Sequence, residues 1–169
     1  DILGDILPYK NFYQDFSTHV FELGPAFTPS KCETFKEMCD KYIAEVNKHE
    51  SSFCYMYWGE PDTTMHITGA YSKDTKKVIK DIDDTLREFK KQLPEDTLII
   101  ITADHGNDPT FVGNSHTREN VPVIVFSRMF KNPGKLDILD SMADIAATIA
   151  DNFNVSKPEI GNSFLEKLK

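Results

Sequence analysis

Two hydrophobic rhythms alternate along this chain, one of strands and one of helices. Residues 18–23 read as a strand, and a Pro/Gly-containing stretch from 24 to 29 then leads to a helix start. Ser30 with Glu33 has the form of a capping box, and Cys32, Phe35, Cys39, Tyr42, Ile43 and Val46 fall on one helical face behind it. Residues 53–58 are a continuous apolar and aromatic run, which suits a strand buried on both faces of a parallel sheet. A polar loop is expected over 59–71, ending at Ser72 as the N-cap of a second helix. That helix carries Val78, Ile79, Ile82, Leu86, Phe89 and Leu93 as its apolar stripe, and Pro94 stops it. Two further buried strands are expected over 98–102 and 121–126, the latter with Pro122 near its start, where a missing donor is tolerated. A last helix, about 138–153, turns Leu139, Met142, Ile145, Ala146, Ile149 and Phe153 inward.

Strands alternating with helices at this spacing predict a single α/β domain over 1–169, a mostly parallel sheet flanked by helices, with 1–30 as an irregular lead-in. In such sheets, ligands gather beyond the carboxyl ends of the strands. The loops after Trp58 and Thr102 lie there.

Composition narrows the functions open to such a domain. Forty per cent hydrophobic residues and 12 phenylalanines in 169 residues are enough for a packed core. A formal net charge of -8 argues against a nucleic-acid surface, which needs a basic face. Phosphate esters are still accessible to an acidic protein if bound cations reverse the local field. Cys32, Cys39 and Cys54 form no Cys-x-x-Cys pattern, and their odd number reads as reduced thiols of an intracellular protein. No apolar stretch reaches the length of a membrane span, and the start shows no basic-then-apolar targeting pattern.

Three of the five histidines sit in the strand-end loops. Asp62 and His66 share one loop, Asp104 and His105 another, and His116 follows eleven residues after His105. Two carboxylates and three imidazoles form a mixed N/O donor set suited to Zn²⁺ or Mn²⁺. Taken singly, each motif is more simply a turn or a surface histidine. Three of them beside predicted strands make a metal site a live alternative. Asp104 and His105, adjacent where a strand pattern breaks, can diverge to serve two ions, and Gly106 would let the backbone turn sharply and leave room for a phosphate. His19 in a strand and His49 at a helix end read as structural, and the mixed charges of 73–91 as the solvated face of a helix.

The segments Thr102-Ala103-Asp104-His105-Gly106-Asn107-Asp108-Pro109-Thr110 and His116-Thr117-Arg118-Glu119-Asn120-Val121-Pro122-Val123 resemble the phosphopentomutase signature within the alkaline phosphatase superfamily. The end of the chain, Ala143-Asp144-Ile145-Ala146-Ala147-Thr148 and Gly161-Asn162-Ser163-Phe164-Leu165, is similar to that family too. The resemblance is strong from about residue 97 onward. It implies an alkaline phosphatase-like core of which this chain is the C-terminal part, without the cap domain and the N-terminal core half. It implies two divalent ions, Mn²⁺ or Zn²⁺, one held by Asp104 and His105, the other by Asp62, His66 and His116, with Arg118 and Glu119 touching either those ligands or the substrate. The implied activity interconverts ribose or deoxyribose 1-phosphate and 5-phosphate in the cytoplasm, through a phosphorylated threonine.

Two features depart from that pattern. Tyr57-Trp58-Gly59-Glu60-Pro61-Asp62, with His66 four residues on, is more similar to the nucleotide pyrophosphatase/phosphodiesterase branch, which shares the two-metal core and cleaves phosphodiesters. The superfamily's first metal-ligand Asp and its threonine or serine nucleophile have no match here: Asp1-Ile2-Leu3-Gly4 has an Asp-x-x-Gly spacing with no strand before it, and Thr63 and Thr64 lie in a loop that does not supply the family's nucleophile. The expected protein is therefore part of a larger metalloenzyme, inactive by itself, whose partners are a phosphorylated small molecule and its own missing half. A non-catalytic metal-binding or interaction domain is the alternative from another class. An exposed sheet edge is expected to promote self-association.

Overall fold

A computed structural model describes residues 15–25, 31–113, 115–131 and 134–168. The expected Ser30 cap, most of the lead-in before it and residues 26–30 lie outside these. In chain order the elements are β1 (His19–Leu23), α1 (Phe35–Val46), β2 (Ser52–Met56), α2 (Glu60–Thr68), α3 (Lys73–Gln92), β3 (Ile99–Ile101), β4 (Ile124–Phe126), α4 (Ala143–Asn152) and a 3-10 turn (Leu165–Leu168). The chain divides into two compact units, one of Phe21–Ser127, the other of Asp1–Val20 with Arg128–Lys169.

Within Phe21–Ser127, α1 begins at Thr34, which is extended (φ -136°, ψ 154°) and whose hydroxyl accepts from the Glu37 amide at 3.0 Å. The Glu37 carboxylate in turn accepts from the Glu33 amide at 2.8 Å, so the helix N-terminus is satisfied from both directions. Ser72 caps α3 as the sequence predicts, accepting from Thr75 N at 3.0 Å. The charges of α3 are mostly paired one turn apart, as in Lys77–Asp81 at 2.7 Å and Arg87–Asp83 at 2.6 Å. Being exposed, these pairs contribute little to stability.

Packing centres on two small apolar clusters. Leu23, Cys32 and Met38 form one, with Phe21, Cys54 and Trp58 against it. Cys39, Phe89 and Leu93 form the other, with Tyr42, Ile43 and Leu86 around it. The Tyr42 and Phe89 rings meet edge-on at 5.4 Å and so join α1 to α3. All three cysteines are free thiols. Burial pushes the Cys39 thiol up to about 12 and the Cys54 thiol further in the same direction. Both thus stay protonated and make poor metal ligands.

The sheet differs from the expected one. Among the described residues there are two small sheets, β1 with β2, joined through α1, and β3 with β4. The second is antiparallel, pairing Ile99 with Phe126, Ile100 with Val125 and Ile101 with Ile124. A parallel return from β3 needs a crossover, usually a helix. The described residues of 102–123 contain none and instead double back on themselves, which delivers β4 in the opposite direction. β2, β3 and β4 are also half-buried or exposed at each position, not buried on both faces.

The polar loop expected over 59–71 is in fact largely the helix α2. Pro61 in its first turn, Glu60 and Asp62 near the positive end of the helix dipole, and Gly69 donating to Met65 O at 2.8 Å account for it. None of its residues is buried, so it has no apolar stripe for a pattern to reveal.

In the other unit, α4 starts at Ala143, five residues after the expected position. Asp144 governs that start. Its buried carboxylate accepts from the amides of Asp140 (3.2 Å), Ser141 (3.3 Å) and Asn162 (2.7 Å). Thr148, fully buried, donates to Asp144 O at 2.7 Å and accepts from Phe164 N at 3.0 Å, which ties the C-terminal segment to the helix. Gly161 adopts φ +105°, and a Cβ there would lie 2.4 Å from Ala143 O. Gly161→Ala is therefore expected to destabilise this unit by about 2 kcal/mol or more, read as a lower denaturation midpoint.

Candidate metal centre

The site is assembled from one helix and one doubled-back loop, both in the Phe21–Ser127 unit. On α2, Asp62 and His66 are four residues apart and hence on one face, with Asp62 Oδ1 3.1 Å from His66 Nε2. The loop after β3 supplies the rest. Gly106 and Thr117 form an isolated antiparallel bridge with reciprocal bonds, Gly106 N to Thr117 O at 3.1 Å and Thr117 N to Gly106 O at 3.0 Å. The Thr117 hydroxyl accepts from Asp108 N at 2.7 Å and fastens the next turn to the same point. His105 and His116 each precede a bridge residue, so they flank it as diagonal neighbours on one face. Their rings stack, with centroids 3.7 Å apart and planes 20° from parallel.

All three imidazoles converge on one oxygen. Asp62 Oδ1 is 3.1 Å from His66 Nε2, 3.5 Å from His116 Nε2 and 3.7 Å from His105 Nε2. It is shielded from solvent and makes no hydrogen bond among the described residues, because even the His66 separation lacks hydrogen-bond alignment. His66 Nε2 and His116 Nε2 are themselves 2.9 Å apart. Donors bound to one ion at about 2.0–2.2 Å sit roughly 3–3.5 Å from each other. The Asp62, His66 and His116 separations match that edge length. A carboxylate oxygen left without a proton donor yet ringed by imidazole nitrogens fits a cation, not a structural hydrogen bond.

His105 is oriented by its own backbone neighbourhood. Its Nδ1 lies 3.1 Å from Gly106 O, a carbonyl that can only accept. In the neutral ring this puts the proton on Nδ1 and leaves the Nε2 lone pair toward the carboxylates, the tautomer a metal ligand needs. Asp104 is largely exposed, with Oδ1 3.6 Å from His105 Nε2. His105 thus stands between Asp62 and Asp104, within 3.7 Å of each. Tyr55 on β2 feels Asp104: burial first, then that carboxylate, raise its phenol above the ordinary value.

Over residues 24–157 the chain matches the family model of the metalloenzyme superfamily. The chain belongs to the metalloenzyme superfamily. This is an alkaline phosphatase-like domain, and all five candidate metal ligands, with Arg118 and Glu119, fall inside the matched span. Membership in the metalloenzyme superfamily points to metal-dependent activity, in keeping with the convergence on Asp62 Oδ1. No described helix is long and apolar enough to cross a membrane.

Arg118 is exposed and has no ion-pair partner among the described residues, whereas Glu119 packs against Gly106. That contact changes the role expected of Gly106. Its lack of a side chain permits the close approach of the returning segment: a Cβ would meet Glu119 Oε2 at 2.5 Å, Glu119 N at 3.1 Å and Thr117 O at 3.2 Å. The Glu119 side chain can swing away, but the two backbone atoms cannot move without opening the bridge. Gly106→Ala is therefore expected to cost about 1–2 kcal/mol of stability and to weaken metal binding about tenfold, read by denaturant unfolding and calorimetry on the same sample.

Sequence reasoning passed over two residues of this region. Thr117, whose hydroxyl locks the loop, and Asn107, whose side-chain nitrogen is shielded and without a partner among the described residues, both lie in motifs already singled out. Neither has a periodicity or charge that would mark it.

Proposed function

We propose that this chain carries the phosphate-handling metal centre of a phosphopentomutase-like phosphoryl-transfer enzyme acting in the cytoplasm on a phosphorylated small molecule. The observation behind this reading is the shielded, unbonded Asp62 Oδ1 ringed by three imidazole nitrogens. Asp62, His66 and His116 would hold one divalent cation, and Asp104 with His105 would contribute to a second, Mn²⁺ or Zn²⁺ in each case. Such cations supply Lewis acidity, polarising and neutralising phosphate oxygens. The residues of the chain provide the frame: α2 fixes the Asp62–His66 pair, the Gly106–Thr117 bridge fixes His105 and His116, and Gly106 O fixes the His105 tautomer. Exposed Arg118 and nearby Glu119 are the substrate contacts in this reading. A threonine nucleophile, which the reading requires, matches no residue of this chain.

A second reading, phosphodiester cleavage, is favoured by the helical placement of Asp62 and His66 four residues apart. Binding tests the reading shared by both. Inorganic phosphate should bind the Mn²⁺-loaded chain and not the metal-free chain. Equal binding without metal would overturn the proposal. Product analysis of the complete enzyme, including the part that supplies the nucleophile, then separates the two readings: ribose 5-phosphate formed from ribose 1-phosphate marks a mutase, and nitrophenol released from bis(p-nitrophenyl) phosphate a phosphodiesterase.

A further inference from the structure

A cavity of about 410 Å³ lies between the starts of α1 and α2, in the Phe21–Ser127 unit, on residues that the metal centre does not use. Its apolar walls are Pro25, Phe35 and Trp58, and Glu33, Glu60 and Thr63 border them. This volume falls within the roughly 300–1,000 Å³ of small-molecule pockets. The Phe35 and Trp58 rings stand 6.1 Å apart with their planes at 54°, so they form two sides of an aromatic corner. Trp58 is held in place by its indole N–H, which donates to Glu60 Oε2 at 3.0 Å. The same bond brings a carboxylate to the edge of the aromatic wall.

Charge decides what such a corner takes. No basic residue is among its described lining residues. The lysines that follow on α1 are engaged elsewhere, Lys36 with Asp40 at 2.6 Å and Lys41 with Glu37 at 2.9 Å. The Glu33 carboxylate makes no hydrogen bond or ion pair among the described residues, and Glu60 is engaged by the Trp58 indole, which is neutral. Two helix starts also face this region, and each carries about half a positive charge. Together they offset about one of the two carboxylate charges, so the cavity keeps a net negative field. A metal ion does not fit here: Glu33 and Glu60 belong to no group of three donors close enough to share one among the described residues. The walls beside the carboxylates are apolar and aromatic, which suits a cation that carries its own apolar shell. Aromatic faces attract quaternary and methylated ammonium groups, whose charge is spread over methyl groups that shed water readily.

We propose that this cavity is a binding site for the quaternary ammonium group of a small molecule, with the Phe35 and Trp58 rings facing the cation and Glu33 and Glu60 supplying the counter-charge. The site is separate from the metal centre and does not rest on the reading of that centre. It gives a role to two carboxylates that no cation of the described chain neutralises.

Trp58 is the single tryptophan of the chain, so its emission reports on this cavity directly. The test is a titration of the metal-free chain with choline, ethanolamine and 3,3-dimethylbutan-1-ol, the uncharged carbon isostere of choline, followed by Trp58 fluorescence and by calorimetry. Choline should shift the emission saturably and bind about tenfold tighter than the isostere. Ethanolamine, whose ammonium stays hydrated, should bind more weakly than choline. The double variant Glu33→Gln/Glu60→Gln keeps an acceptor for the indole N–H and changes only exposed side chains, so it should fold as the parent does. It should weaken choline about fivefold to tenfold and leave the isostere unchanged. Choline binding no tighter than the isostere or ethanolamine, choline affinity unchanged in the double variant, or a choline titration without saturable signal would overturn the proposal. None of these outcomes bears on Mn²⁺ binding.

Discussion

Asp62→Ala is expected to abolish metal-dependent stabilisation and yet leave the metal-free protein as stable as the parent, or slightly more so. The two halves of this result have one cause. In the metal-free chain Asp62 Oδ1 has no hydrogen bond among the described residues and is hidden from water, so its removal deletes an unmet acceptor, and that gain offsets the few tenths of a kcal/mol that Asp62 lends α2 through the helix dipole and its pairing with His66. With metal, the same oxygen is the point on which His66, His116 and His105 converge. A cation at a hundred times its dissociation constant adds about 2.7 kcal/mol, or roughly 5–10 °C in melting temperature for a chain of this size. That rise should be present in the parent chain and absent in Asp62→Ala. A loss of more than about 1 kcal/mol in the metal-free variant would show instead that Asp62 holds the fold.

Asp144→Ala should have the largest effect on stability. Three backbone amides converge on this carboxylate, from Asp140, Ser141 and Asn162, and the side chain is only 3% exposed. Hydrogen bonds to a charged group are worth about 1.5–3 kcal/mol each, and two of these three are long, so a total of about 3–5 kcal/mol is expected. The effect should extend to the Thr148–Phe164 link, because Asp144 sets the helix turn whose carbonyl Thr148 engages. Hydrogen exchange at the Phe164 amide reports this directly. Asp144→Asn, which keeps one acceptor oxygen, should cost about half as much. A change below about 1 kcal/mol for Asp144→Ala would contradict this account of the helix start.

The contrast between α3 and α2 shows what the sequence exposes and what it hides. α3 was legible because three signals agree: the Ser72 cap, the apolar stripe through Phe89, and Pro94 just past the end. α2 carries two of the candidate ligands, Asp62 and His66, and was not legible, because it buries nothing and so has no hydrophobic period. Only its end signals, Pro61 and Gly69, mark it. Strand direction was hidden for a different reason. Apolar runs mark strands but carry no polarity, and the informative feature was the lack of a helical period between Ile101 and Ile124. The meeting of Asp62, His66, His105 and His116 in space could be anticipated from three motifs at strand ends, since a strand-end loop is where side chains converge. Asn107 could not, because an unpaired amide is a property of its surroundings and not of its neighbours in sequence. Asp144 was similarly hidden on the polar side of an amphipathic pattern, where a buried acceptor reads like any surface acid.

The central claim is that Asp62, His66 and His116 form one cation site, and calorimetric titration of the folded chain with Mn²⁺ and with Zn²⁺, beside His66→Ala and His116→Ala, tests it most directly. One tight site in the parent chain, weakened at least 100-fold in both variants, is the predicted result. A folded parent chain that binds neither ion, or binding that persists in both variants, would contradict it.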